Sequence, residues 1–159
     1  MNAVVSQNNK RLNVHPGEWY FGREYQEIYT VLGPCVALTA WHPRLKIGGV
    51  CHFVLPGAPV TPRRRAREHQ DNSSRYAKFA LLNMKQAMQG YAPLVQFQLG
   101  IYGGSDNLMN YGIGKQNILY VQQWLVDEQQ SAHQVDVGGI NSRSIILNVL
   151  TGIVKLTKS

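Results

Sequence analysis

With 159 residues, 44% of them hydrophobic, the chain can bury roughly 70% of its unfolded surface in one core and is too short for two full domains. Sixteen Lys and Arg against nine Asp and Glu leave a formal net charge of +7, which biases the protein toward acidic partners without choosing among them. Two cysteines exclude the disulfide framework of a small secreted domain and point to a reducing compartment.

Residues 1–12 are mostly polar, Val4 and Val5 aside, and lack the apolar stretch of a signal peptide. Residues 1–16 therefore read as a flexible segment ahead of a single domain over 17–159. No run approaches the length that spans a bilayer, so a cytoplasmic protein without membrane insertion is expected. Segments 18–22 and 27–32 are rich in Tyr, Trp, Ile, Thr and Val and bounded by Gly and Pro, as strands are. Segments 36–41 and 46–55 flank His42-Pro43-Arg44-Leu45, which predicts a hairpin closed by a four-residue connection. Residues 57–74 hold Pro59, Pro62 and the basic run Arg63-Arg64-Arg65-Ala66-Arg67 without a periodic apolar face, and read as an exposed loop. Ser74 is a candidate cap for a helix over 75–89 stopped by Gly90, with Ala77, Ala80, Leu81, Met84 and Met88 on its inner face.

Alternation over 94–101 predicts a half-buried strand ending at Gly103-Gly104. A second helix is expected over 115–129, with Ile118, Val121, Leu125 and Val126 inward. Val135 and Val137 precede Gly138-Gly139, and segments 144–149 and 153–156 form a hairpin through Thr151-Gly152. Strands outnumber helices and come as hairpin-sized neighbours, so the class is α+β, a layered sandwich of mainly antiparallel sheets with helices outside.

A turn centred between Pro43 and Arg44 sets Cys35 directly opposite His52. Opposed residues of an antiparallel pair project to one face with Cβ atoms roughly 4.5–5.5 Å apart, within reach of a thiol–imidazole hydrogen bond. A nearby imidazole can lower a thiol pKa and shuttle its proton, which is how cysteine nucleophiles are activated. The competing reading is a packed strand cysteine, since a one-residue slip destroys the pairing. Cys51 adjoins His52, so the pleat sends it to the other face, where a small buried thiol is the ordinary reading.

The segment Thr30-Val31-Leu32-Gly33-Pro34-Cys35-Val36, followed by Lys46-Ile47-Gly48-Gly49-Val50-Cys51-His52-Phe53-Val54-Leu55-Pro56, resembles the CheD chemoreceptor glutamine deamidases. Later landmarks agree in order: Ser74-Arg75-Tyr76, Tyr102-Gly103-Gly104, Ile113-Gly114 with Asn117, Asp136-Val137-Gly138-Gly139 with Arg143, and Thr151-Gly152. The resemblance covers nearly the whole chain beyond the first dozen or so residues. It implies a CheD-like fold and hydrolysis of particular glutamine side-chain amides on chemotaxis receptors to glutamate and ammonia. Cys35 would be the nucleophile, His52 the base, and Thr30 the third polar member. The substrate would be cytoplasmic receptor helices, with the phosphatase CheC as a partner in organisms that have it. No cofactor is implied. Pro34 stands where the family usually has Ser and has no N–H to give an oxyanion. Gln116 and Ser142 stand where Arg and Gly are usual, which touches local loop shape.

Rival readings are a non-catalytic chemotaxis regulatory module of CheC-binding type, a nucleic-acid-binding domain and a metal site. Arg63, Arg64, Arg65 and Arg67 would suit a phosphate backbone, but no recognition helix or interleaved aromatic set accompanies them. Steering onto Glu-rich receptor helices is the preferred role for these four. A zinc site from Cys35, Cys51, His52 and His42 fails on the pleat, which divides Cys51 from His52, so no metal is expected.

Overall fold

The structure is a computed structural model that describes residues 10–58, 73–107, 109 and 111–159. Along the chain come β1 (Arg11–Asn13), β2 (Trp19–Gly22), β3 (Glu27–Leu32), β4 (Val36–His42) and β5 (Ile47–Phe53). After them lie α1 (Ala77–Gln89), a 3-10 turn (Leu94–Gln96), β6 (Gln98–Gly103), α2 (Ile113–Asp127), β7 (Ala132–Val137), β8 (Arg143–Asn148) and β9 (Val154–Lys158). The strands form a five-stranded sheet ordered β2-β5-β4-β6-β7 and a four-stranded sheet ordered β1-β3-β8-β9.

Pleating explains the layers. In β4 and β5 every residue is buried, which accounts for their nearly continuous apolar sequence: the pair is covered on both faces. Val36, Leu38 and Ala40 with Cys51 and Phe53 face the helices and pack on Ala77, Ala80, Leu81, Met84 and Met88 of α1. Ala37 and Val50 point the other way, into a second core with Ile28, Leu32, Ile145 and Leu147 of the four-stranded sheet. The result is an α+β sandwich of helices, five strands and four strands.

Several local expectations change. The β4–β5 turn is Pro43–Lys46, with His42 opposite Ile47, because His42 stays in the strand. Its Nδ1 accepts the N–H groups of Arg44 and Leu45 at 3.2 and 3.1 Å, and Lys46 takes the left-handed conformation (φ 52°) that closes the turn. Ser74 does not cap α1, whose N-cap is Tyr76; the Ser74 hydroxyl instead accepts from Asn83 Nδ2. The strand expected over 94–101 is divided, its first part being the 3-10 turn. Not all pairing is antiparallel: β1 runs parallel to β3, and the β6–α2–β7 crossover makes β6 and β7 parallel. Val126 is 68% exposed, and Asn117 takes an inward place on α2 beside Val121 and Leu125. Among the described residues no helix is long and apolar enough to cross a membrane.

The α1 stripe gives a direct test. Leu81→Ala should lower unfolding free energy by about 2–5 kcal/mol, whereas Leu82→Ala, at a position 42% exposed, should cost under about 1 kcal/mol. Urea denaturation measures both, and a reversed order contradicts this packing.

Candidate active site

The site forms where the chain passes from one sheet to the other. β3 ends at Leu32 in the four-stranded sheet, and β4 begins at Val36 in the five-stranded one, so Gly33-Pro34-Cys35 bridges the layers. This bridge is fastened to the loop after β6: Gly104 N–H donates to Cys35 O at 2.8 Å and Ser105 N–H to Gly33 O at 2.9 Å. Gly103 has φ 107°, and a Cβ there would collide with the Cys35 carbonyl oxygen. The Tyr102-Gly103-Gly104 motif thereby has a physical reason, since only glycine combines that backbone with so close an approach.

Arg143, itself only 4% exposed, secures the neighbouring turn. Its guanidinium meets Asp136 Oδ1 at 2.8 Å and donates to Gly138 O at 2.7 Å and Asn141 O at 3.2 Å. Asp136 also binds Lys158 Nζ at 2.9 Å. Asp136 therefore holds the turn, as the loop chemistry suggests.

His52 lies in β5 opposite Ala37, not opposite Cys35. The longer strand β4 and the turn's shift by one residue at each end move the pairing by two. A two-residue shift preserves the pleat, so Cys35, Ala37 and His52 keep one face and the first and last become diagonal neighbours, still within reach of longer side chains. Cys51 points to the helices and is fully buried.

On the far side of His52 the chain segment before β2 continues the sheet: His52 N–H donates to Glu18 O at 3.0 Å, and Gly17 N–H donates to His52 O at 2.8 Å. The ring reaches across the layers to Thr30 on β3. The Thr30 hydroxyl donates to Val14 O at 2.6 Å and lies 2.7 Å from His52 Nδ1. A hydroxyl has one proton. With that proton on Val14 O, Thr30 Oγ1 must accept, so Nδ1 carries hydrogen and Nε2 carries the lone pair. Nε2 is buried and has no hydrogen-bond partner.

Two features depart from an open, hydrogen-bonded Cys–His pair. The imidazole is 1% exposed, while Cys35 keeps partial exposure. No hydrogen bond joins Cys35 to Nε2 at rest. Burial also governs both protonation states. It pushes the Cys35 thiol above its ordinary value, with its own backbone N–H acting in the opposite sense. It drops His52 to about 4, helped by the charge of His15 and opposed by Glu18. The resting pair is a neutral thiol and a neutral imidazole, not a thiolate–imidazolium pair. Cys51 is pushed up to about 12 by complete burial.

Asn117 was legible in sequence only as a landmark, yet it touches the site: its Nδ2 donates to Pro34 O at 3.0 Å and to Val54 O at 2.9 Å. Among the described residues no group of three or more His, Cys, Asp or Glu could hold a metal ion. Arg63, Arg64, Arg65 and Arg67 lie outside the described residues.

Residues 55–158 match the family described as CheD chemotactic sensory transduction. Similar curated proteins include a probable chemoreceptor glutamine deamidase CheD of Chromobacterium violaceum, 32% identical, with 92% of this chain and 76% of that one aligned. A second, of Leptospira interrogans, is 30% identical over 89% of this chain and 88% of its own. A third, of Dechloromonas aromatica, is 32% identical over 98% and 91%. The family match begins after Cys35 and His52, whereas an alignment covering 98% of this chain extends across both.

Two titrations test this electrostatic picture. Alkylation of Cys35 by iodoacetamide should exceed that of Cys51 and keep rising with pH beyond about 8.5, the ordinary thiol value; a plateau reached below neutral pH contradicts the neutral pair. For stability the sign follows from His52. Its folded value of about 4 lies below the unfolded value of 6.5, so between these the unfolded chain binds the extra proton and stability falls as pH falls through that window. His52→Gln should flatten the wild-type loss, measured by urea unfolding at several pH values.

Proposed function

The chain belongs to the CheD family, and on that premise we propose that it is a protein-glutamine glutaminase. It hydrolyses specific glutamine side chains of chemotaxis receptors to glutamate and ammonia in the cytoplasm, through a thioester on Cys35. The observation that supports this most is the Thr30–His52 hydrogen bond, because it leaves an unprotonated Nε2 on the sheet face that carries the thiol.

An amide is a poor electrophile with a poor leaving group, so the reaction needs a nucleophile, a proton acceptor that becomes a donor, and a place for negative charge. Substrate binding brings the carbonyl carbon to the exposed side of Cys35 and excludes water. Sγ attacks as the thiol proton passes to His52 Nε2, and the carbonyl π pair moves onto oxygen. One well-placed donor to that oxygen contributes about 2.7–4 kcal/mol. The backbone N–H of Cys35 is the donor next to the nucleophile along the chain, Pro34 having none, and it lowers the thiol pKa against the effect of burial.

The tetrahedral intermediate then collapses. The carbon–nitrogen bond breaks, imidazolium returns its proton to nitrogen, and ammonia leaves. Water adds to the thioester with His52 as base, and collapse releases glutamate and the thiol. A neutral starting pair suits this sequence: a base near pKa 4 is deprotonated at working pH, and the charge separation it needs arises only during the reaction.

The basic run Arg63, Arg64, Arg65 and Arg67 is proposed to steer the enzyme onto acidic receptor helices. A phosphatase CheC partner belongs to the same proposal, as regulation of this activity.

Mass spectrometry of receptor cytoplasmic fragments incubated with purified protein tests the function. Selected glutamines should gain the mass difference between amide and acid. Cys35→Ala should abolish the gain, and His52→Ala should slow it by about 10²–10⁴-fold. A gain that persists in Cys35→Ala, or that wild type never produces, contradicts the proposal. Replacing the four arginines with Ser should slow deamidation at low salt and lose its effect at high salt, where exposed charges are screened; equal rates at every salt concentration discard the steering role.

A further inference from the structure

Asn117 is fully buried on α2, and its amide spans two segments distant in sequence. Nδ2 donates to Pro34 O at 3.0 Å and to Val54 O at 2.9 Å. Two carbonyl oxygens at this distance both require a donor, so the nitrogen must face them, and Oδ1 is left buried without a partner. An unpaired buried acceptor costs free energy. A side chain retained on those terms does something an apolar residue there could not.

The carbonyl it grips belongs to the peptide that ends at the nucleophile's nitrogen. A trans peptide is planar, with C=O and the next N–H pointing in opposite directions. Fixing Pro34 O therefore fixes where the Cys35 N–H points. The next peptide is fixed as well, because Gly104 N–H holds Cys35 O at 2.8 Å. Held on both sides, the Cys35 N–H keeps one direction. The lowering it exerts on the thiol pKa fits a direction toward its own sulfur, the side on which the oxygen of a carbon bonded to that sulfur comes. The second carbonyl, Val54 O, lies two residues beyond His52, so the same amide registers the nucleophile's bridge against the strand that carries the base.

The position of α2 that makes this reach possible is itself secured. Both oxygens of Asp106 accept from the first turn of the helix, from Gly114 N–H at 3.1 Å and Lys115 N–H at 3.0 Å. Gly114 packs so closely on the Gly104 and Ser105 carbonyls that a Cβ would collide with them. Asn117 follows one turn later, on the same face of the helix.

We infer that Asn117 is a positioning residue that aims the Cys35 backbone N–H as the oxyanion donor, taking over an orientation that Pro34 cannot share. The inference rests on the proposed glutaminase reaction and deepens it: Asn117 acts through a peptide plane and not on the substrate.

Alkylation separates this role from a merely structural one, because displacement of iodide by Sγ creates no oxyanion, whereas amide hydrolysis does. Asn117→Asp keeps the shape and removes the donor; Asn117→Ala is the second variant should the first fail to fold. For whichever variant melts cooperatively, kcat for receptor-fragment deamidation should fall about 10–100-fold. KM should stay within about twofold of wild type, and so should the rate of Cys35 alkylation at a pH high enough to ionise the thiol in both proteins. A kcat close to wild type overturns the inference, and so does a parallel fall in kcat and alkylation, which would make Asn117 a general support of the fold. Wild-type protein that alkylates but never deamidates overturns the activity and the inference together, while active wild type with equally active variants overturns the inference alone.

Discussion

The hydroxyl of Thr30 has a single proton, and where that proton goes decides what His52 can do. Because it is committed to Val14 O, the imidazole must donate through Nδ1, and the ring is held as the tautomer whose free lone pair is on Nε2. The constraint is expensive to satisfy in sequence terms. It needs β3 and β5 on facing sheets, the segment after β1 positioned to offer Val14 O, and a polar pair inside an apolar layer. Buried polar groups are tolerated when each finds its partner. Here every member finds one except Nε2, which leaves that atom as the free end of the chain Val14, Thr30, His52 and the proposed base.

Much of the remaining structure serves to keep two sheets and three glycine-containing loops in register around this chain. Arg143 ties the turn after β7 to Asp136, Gly104 ties the loop after β6 to Cys35, and Asn117 ties the bridge before β4 to the end of β5. Gly103 and Gly114 are contact points, not flexible spacers: a side chain at either would meet backbone oxygens. The same dense packing keeps the imidazole from water and gives it an ordinary state that is neutral, so in the proposed reaction the ion pair exists only while a substrate is being turned over.

Local signals in the sequence were sufficient for most of the elements, though not for β1, which falls within the mostly polar residues 1–16 read as flexible and is held by its pairing with β3. The apolar spacing of Ala77, Ala80, Leu81, Met84 and Met88 is seen unchanged in α1, and β3 occupies the predicted 27–32. The face shared by Cys35 and His52 was also legible, because an error of two residues leaves pleat parity intact; the exact opposition was not, because whether His42 ends a strand or begins a turn depends on its hydrogen bonds to Arg44 and Leu45. The parallel β6–β7 pair was missed because crossover direction is set by how α2 packs, not by residues within either strand. Asn117 left no periodic signal: a polar residue on a helix declares its role only when Pro34 and Val54 arrive from far along the chain. Burial of His52 was equally invisible, since period-two patterning says which way a side chain points and not how deeply the second sheet covers it.

The tautomer can be read directly by nitrogen-15 NMR of the histidine side chains near neutral pH, with His52 assigned by comparison with His52→Gln. A protonated Nδ1 and an unprotonated Nε2 are expected for His52, a pattern that weakens in Thr30→Val. A ring protonated at Nε2, or at both nitrogens, would contradict it.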